Sequence, residues 1–167
     1  DFSDSLNELR TQLLEMAGQH AETFVPAYTN GVQASLVEVD IRTGCVSLLK
    51  HWIVDDCGVV INPQLLTQAI EGNIAQALSR ATYEEVKFST ENVTSIDWET
   101  YPILDITEAP QTIDCVLINR PEAAPTGAGE PSIRAVSAAI ANAIFDATGV
   151  RIRRVPFSPD RVKAALS

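Results

Sequence analysis

The residues with the most chemical content lie together at Thr126-Gly127-Ala128-Gly129-Glu130-Pro131. A carboxylate directly follows a Gly-x-Gly turn and precedes a run of small residues, Ser132 to Thr148, that reads as one long helix. Paired glycines let a backbone turn sharply and come close to another group. The first turn of a helix carries unpaired N–H groups and the positive end of the helix dipole, which favour an anion. A carboxylate held there is oriented and kept ionised, as a general base must be. The same position suits an ordinary helix-capping acid, so these six residues alone leave both roles open for Glu130.

The other reactive side chains are scattered. Cys45, Cys57 and Cys115 form no C-x-x-C pair, haem-attachment motif or cluster-ligand pattern, and are expected to be buried reduced thiols. His20 and His51 have no Cys, Asp or Ser constellation beside them in sequence, and neither is assigned a catalytic role. Arg151, Arg153 and Arg154 form a basic cluster. It suits an acidic partner or a phosphate, or else a solvated face with paired charges.

The elements that position these groups follow from periodicity. Residues 4–17 carry Leu6, Leu9, Leu13, Met16 and Ala17 at helical spacing, with a Ser5/Glu8 capping box and Gly18 as a stop. Gln33 to Ile41 alternates as a strand, with Val37, Val39 and Ile41 on one face. Thr43-Gly44 turns it into a second strand, Val46 to Val54. Asn62-Pro63 opens a helix to about Arg80, with Leu66, Ile70, Ile74, Ala77 and Leu78 along one face. Gly72 in mid-helix costs about 1 kcal/mol relative to alanine, which points to a close approach by another group. Strands are expected at Tyr83 to Phe88, Thr112 to Ile118 and Arg151 to Arg154, and a last helix from Ser158-Pro159. The irregular stretch between Ser89 and Pro110 offers Trp98, Tyr101 and Pro102 as packing anchors. Gly149 stops the long helix. Strands, hairpins and helices interleaved in this way give an α+β domain.

A chain of 167 residues is one domain's worth of material and long enough to bury a core. A net charge of −10 argues against a nucleic-acid or anionic-membrane surface. No apolar run reaches membrane-spanning length and no basic-apolar leader opens the sequence. A soluble, cytoplasmic protein is expected, or a periplasmic one if it travels with an exported partner.

Three blocks carry a family resemblance. Gly127 to Phe157, GAGEPSIRAVSAAIANAIFDATGVRIRRVPF, resembles the C-terminal end of molybdenum hydroxylase large subunits, the xanthine oxidase and aldehyde oxidoreductase family. Val54-Asp55-Asp56-Cys57-Gly58 to Asn62-Pro63 resembles that family's Asp-Cys-Gly…Asn-Pro stretch, and Ile70-Glu71-Gly72-Asn73-Ile74-Ala75-Gln76 its Glu-Gly-x-x-x-Gln helix. IEGNIAQALSR, Asp97 to Pro110 and Ala139 to Leu166 look most like nicotinate and isoquinoline dehydrogenases. Phe24 to Gly58 reads more like the carbon monoxide dehydrogenase branch.

The resemblance implies a domain over residues 22–167 that binds molybdopterin, in its cytosine dinucleotide form, with molybdenum; residues 1–21, read from their periodicity as an N-terminal helix and linker, have no counterpart in it. It implies Glu130 as the general base, with Gly127, Ala128 and Gly129 lining the cofactor side and Ala69, Glu71 and Gly72 on the second site-building helix. One departure stands out. The family's glutamine two residues before Glu-Gly is here Ala69, while Gln68 sits one residue earlier, turned by about 100° on a helix.

The resemblance also implies insertion of water-derived oxygen into an electron-poor carbon of an N-heteroaromatic acid or an aldehyde. The implied partners are the remainder of the large subunit, an iron–sulfur subunit and a cytochrome c. Such subunits are several times longer than this chain, so it is expected to be an excised domain or a split subunit, inactive alone. A non-catalytic assembly or scaffold module is the alternative. A neighbouring gene for the remainder of a large subunit discriminates the two.

Overall fold

A computed structural model describes residues 11–12 and 30–167. Thr11 and Gln12 are helical; the rest of the helix expected over 4–17, the boundary near residue 21 and His20 lie outside the described residues. A three-stranded sheet, ordered β1-β2-β3, forms the base of the described fold. β1 (Asn30–Val39) pairs antiparallel with β2 (Val46–Asp56), and β2 pairs parallel with β3 (Thr112–Leu117). A mixed sheet with helices is the expected α+β class.

β1 begins and ends earlier than its alternation suggests. A bulge between Leu36 and Val37 shifts the register, and Ile41 lies in the hairpin loop, 73% exposed. Asp40 closes that loop by accepting from Gly44 N–H at 2.7 Å. Gly44 has φ +82, and a Cβ there would stand 2.1 Å from the Pro159 carbonyl oxygen, so only glycine fits.

Helix α1 (Pro63–Thr82) begins as the sequence indicates: the Asn62 side chain accepts from Leu65 N–H at 3.0 Å and Pro63 opens the helix. Ile70, Ile74, Ala77, Leu78 and Ala81 bury its apolar stripe. The long C-terminal helix is divided. α2 (Pro131–Arg134) ends where Ala135 turns its N–H to Ile133 O, and α3 (Val136–Thr148) continues to Gly149, which is left-handed at φ 73. α4 (Pro159–Leu166) buries Val162.

The two faces of the sheet differ. Ile53 and Cys57 of the β2 segment join Ile70, Ile74, Val136, Ile140 and Ile144 in the main core, on the helix side. Trp52 and Val54 point the other way and pack with Val32, Ala34, Leu36, Val116 and Ile118.

Three expectations need correction. Tyr83 to Phe88 is not a strand; it runs without a ladder to a single bridge between Phe88 and Val93. Arg151 to Arg154 is irregular, and two of its arginines find partners nearby: Arg151 stacks 4.2 Å over the Phe145 ring, and Arg154 pairs with Glu85. Trp98 is no anchor, being 77% exposed; the segment is instead fixed by Tyr101 O–H to Glu84 and by an Asp105/Glu108 capping box. No helix among the described residues is long and apolar enough to cross a membrane.

Candidate active-site loop and the face of α1

The loop that carries Glu130 is fastened at its base by the Asp-Asp-Cys-Gly segment at the end of β2. Thr126 N–H donates to Cys57 O at 2.9 Å, Arg120 N–H to Gly58 O at 3.1 Å, and Val60 N–H to the Asn119 side chain at 3.0 Å. Arg120 Nε lies 3.2 Å from Oδ1 and 3.1 Å from Oδ2 of the buried Asp56, compensating its charge. Gly58 makes the contact possible: at φ +86, a Cβ would lie 2.3 Å from Ala124 O. Ala128 completes the attachment by putting its methyl into the main core.

Glu130 occupies the N-cap position of α2, yet its side chain makes no capping hydrogen bond and is exposed. The residues around it are held by a polar chain that local sequence does not announce. Ser132 O–H donates to Gly129 O at 2.7 Å, and Asn73 of α1 donates to the same oxygen and to Ser132 Oγ at 3.1 Å. Gln33 of β1 donates to Ser132 O at 2.7 Å.

Behind Gln33 stands His51, fully buried on β2, with Nε2 3.2 Å from Gln33 Oε1 and Nδ1 3.0 Å from Ser35 Oγ. Burial lowers the His51 pKa to about 4, so the ring is neutral at neutral pH. Because Gln33 gives its N–H to Ser132, its oxygen faces the ring, and Nε2 must carry the proton while Nδ1 accepts from Ser35. A signal for this chain did exist: Gln33, Ser35 and His51 break the apolar pattern at inward strand positions.

α1 supplies the opposite wall. Asn73, Gln76, Arg80, Glu130, Ile133 and Arg134 line a cavity of about 480 Å³. The helix is α-helical throughout from Pro63 to Thr82, so Ala69 lies one turn before Asn73 on the same face, and Gln68 is turned away from it. Ala69, Gly72 and Gln76 are exposed. A Cβ at Gly72, Gly127 or Gly129 would meet nothing within 4 Å. The close approach expected at Gly72 is thus not made by any described residue. Glu71 faces elsewhere: it is half-buried and its charge acts on Cys115 of β3.

The cysteines divide by environment. Cys57 is buried and its thiol pKa is raised by burial and by Asp55; Cys115 is half-buried and raised to about 11 by the same causes. Both stay protonated and unreactive. Cys45 is exposed, contrary to expectation, because it lies at the end of the hairpin loop. Asp55, beside them on the helix side of β2, is raised to about 7 by burial and then by Asp56, and its Oδ2 has no hydrogen-bond partner among the described residues.

Residues 8–110 match the molybdopterin cofactor-binding domain family, a span that includes the loop-fastening segment and all of α1. The chain belongs to that family. It is 44% identical over 130 residues to a nicotinate dehydrogenase component of Pseudomonas putida, covering 78% of this chain and 11% of the relative. With the nicotine 6-hydroxylase large subunit of Paenarthrobacter nicotinovorans it shares 28% identity over 159 residues, 86% of this chain and 18% of that one. The crystal structure of quinoline 2-oxidoreductase from Pseudomonas putida 86 superposes with a TM-score of 0.75 at 27% identity, over 83% of this chain and 18% of that chain. The chain thus spans less than a fifth of each of these molybdopterin-domain relatives.

Proposed function

We propose that this molybdopterin-binding segment forms one wall of a molybdenum hydroxylase site in which Glu130 is the proton acceptor. The observation that carries the proposal is the state of Glu130 itself. Its backbone is fixed on both sides, yet its carboxylate makes no capping bond and is presented on the rim of the cavity against α1.

The residues present fit a large cofactor. Gly72, Gly127 and Gly129 put no side chain into the space before them, and Ala69 adds only a methyl group. In this reading Gly127, Ala128 and Gly129 meet the cofactor through their backbone, and Ala69, Gly72 and Gln76 through the exposed face of α1. The bound molybdopterin, as its cytosine dinucleotide, supplies the metal centre and accepts two electrons.

Glu130 takes a proton from the water-derived oxygen that is added to an electron-poor carbon. Its exposed side chain, held by no capping bond, can turn toward its proton donor. The substrate class we favour is an N-heteroaromatic acid, as the name of the nicotinate enzyme suggests, the quinoline enzyme's name sharing only the N-heteroaromatic ring; aldehydes are the second class, as in the name of a related aldehyde oxidoreductase. Electrons then leave through an iron–sulfur subunit and, in a nicotinate-type assembly, a cytochrome c.

Glu130→Gln in the assembled enzyme tests the role. Folding and molybdenum content are expected to stay near normal while turnover falls by at least ~10²-fold, the loss typical of a general base. Turnover within a few-fold of the unaltered enzyme overturns the assignment.

A further inference from the structure

The main-chain oxygen of Gly129 is the point at which two helices meet. Asn73 reaches it from α1, and Ser132 reaches it from α2. The Ser132 peptide is itself held by Gln33 from β1, which is oriented by His51 from β2. Donors and acceptors alternate without conflict along the whole chain: Ser35 to His51, His51 to Gln33, Gln33 to Ser132, Ser132 to Gly129, Asn73 to Gly129. His51 and Ser132 are buried at 0% and 1% exposure, where a broken polar contact is not replaced by water.

The glycine on each side of Ala128 has no side chain to pack, and nothing stands near the Cβ position of either Gly127 or Gly129. The polar chain therefore adds, at Gly129, to the anchorage that Thr126 and Ala128 give the loop further back.

We propose that Asn73, Ser132, Gln33 and His51 are positioning residues that set the place of the Glu130 carboxylate by holding the Gly129 carbonyl. The proposal rests on the reading of Glu130 as the proton acceptor. None of the four touches the reacting atoms. Asn73 is the member that reaches the loop from a different wall of the cavity, so it fixes the spacing between the two walls as well as the loop.

The test uses Asn73→Leu, which keeps the side-chain size and removes the donor, and Asn73→Gln, which keeps a donor. In the 167-residue chain, nuclear relaxation reads the order of the Gly127, Ala128 and Gly129 amides directly. Asn73→Leu is expected to lower their order parameters from the rigid value of about 0.85 toward the flexible range below about 0.6, with Asn73→Gln in between. In the assembled enzyme, Asn73→Leu is expected to lower kcat by about 10- to 100-fold at nearly unchanged KM, as for a displaced catalytic group. In a Glu130→Gln background the same change is expected to lower the residual kcat no further.

Unchanged order parameters in Asn73→Leu overturn the proposal, as does an additive loss in the double variant. A large loss in Glu130→Gln combined with full activity in Asn73→Leu sinks the positioning role alone. Full activity in Glu130→Gln instead sinks the reading of Glu130.

Discussion

The Asn73 side-chain amide donates to the carbonyl oxygen of Gly129, 56 residues further along the chain and one residue before Glu130. One hydrogen bond thus ties the helix that supplies the cavity's far wall to the loop that carries its carboxylate. Around it the domain uses glycine in two opposite ways. Gly58 lets two segments touch, whereas Gly72 and Gly129 keep a space open. That contrast gives the first prediction.

Gly58→Ala places a methyl group 2.3 Å from the Ala124 carbonyl at a positive φ, so the segment 119–126 must move. A loss of about 1–3 kcal/mol is expected for the forced backbone alone. Gly72→Ala meets nothing and removes a mid-helix glycine, so the chain should gain about 0.5–1 kcal/mol. Urea unfolding of both variants checks the pair. A destabilised Gly72→Ala would show that something fills the space seen before it.

Stability should depend on pH through two buried groups of opposite sign. Folding lowers the His51 pKa from 6.5 to about 4, so the unfolded chain binds the extra proton in that window and stability falls as pH falls. Folding raises the Asp55 pKa from 3.8 to about 7, so the folded chain holds the extra proton and stability falls as pH rises. Each slope reaches at most about 1.4 kcal/mol per pH unit, and between pH about 4 and about 6.5 the two oppose each other. Asp55→Asn removes the second. Its stability relative to the unaltered chain should increase steadily from pH 4 to pH 7 and level off above. A difference independent of pH would exclude Asp55 as the titrating group.

The fold was legible where local chemistry decides it. Asn62-Pro63 announces α1 by its cap, Gly149 announces the end of α3, and alternation announces β1 and β2. Tyr83 to Phe88 and Arg151 to Arg154 have strand-like composition, but strand pairing is a tertiary event, and the described sheet ends at β3 and β1 without them. In the candidate site, the Gly-x-Gly context singles out Glu130, whose role as proton acceptor is proposed. The polar chain behind it was not legible, because Asn73 and Gln33 converge on Ser132, and His51 on Gln33, across separations of 18 to 99 residues. Nothing in local sequence says which buried polar residues find each other.

The last prediction concerns Ala69, which stands on the face of α1 that points past Asn73 to the cavity. The helix shows no irregularity that would bring Gln68 round to that face, and both residues are exposed. Ala69→Gln therefore adds its side chain into open space, and the stability of the chain should change by less than about 0.5 kcal/mol, as for an ordinary surface substitution. In the assembled enzyme the new amide faces the proposed cofactor and offers it one hydrogen bond, worth about 0.5–1.5 kcal/mol. Slower loss of molybdenum during dialysis is the expected outcome, together with a Gln68→Ala control that retains the metal as the unaltered enzyme does. The control separates the two neighbours, since only Ala69 shares the Asn73 side of the helix. Faster metal loss in Ala69→Gln would mean that the space beside Ala69 is already filled in the assembled enzyme, and that the short side chain is a fit to the cofactor rather than a missing contact.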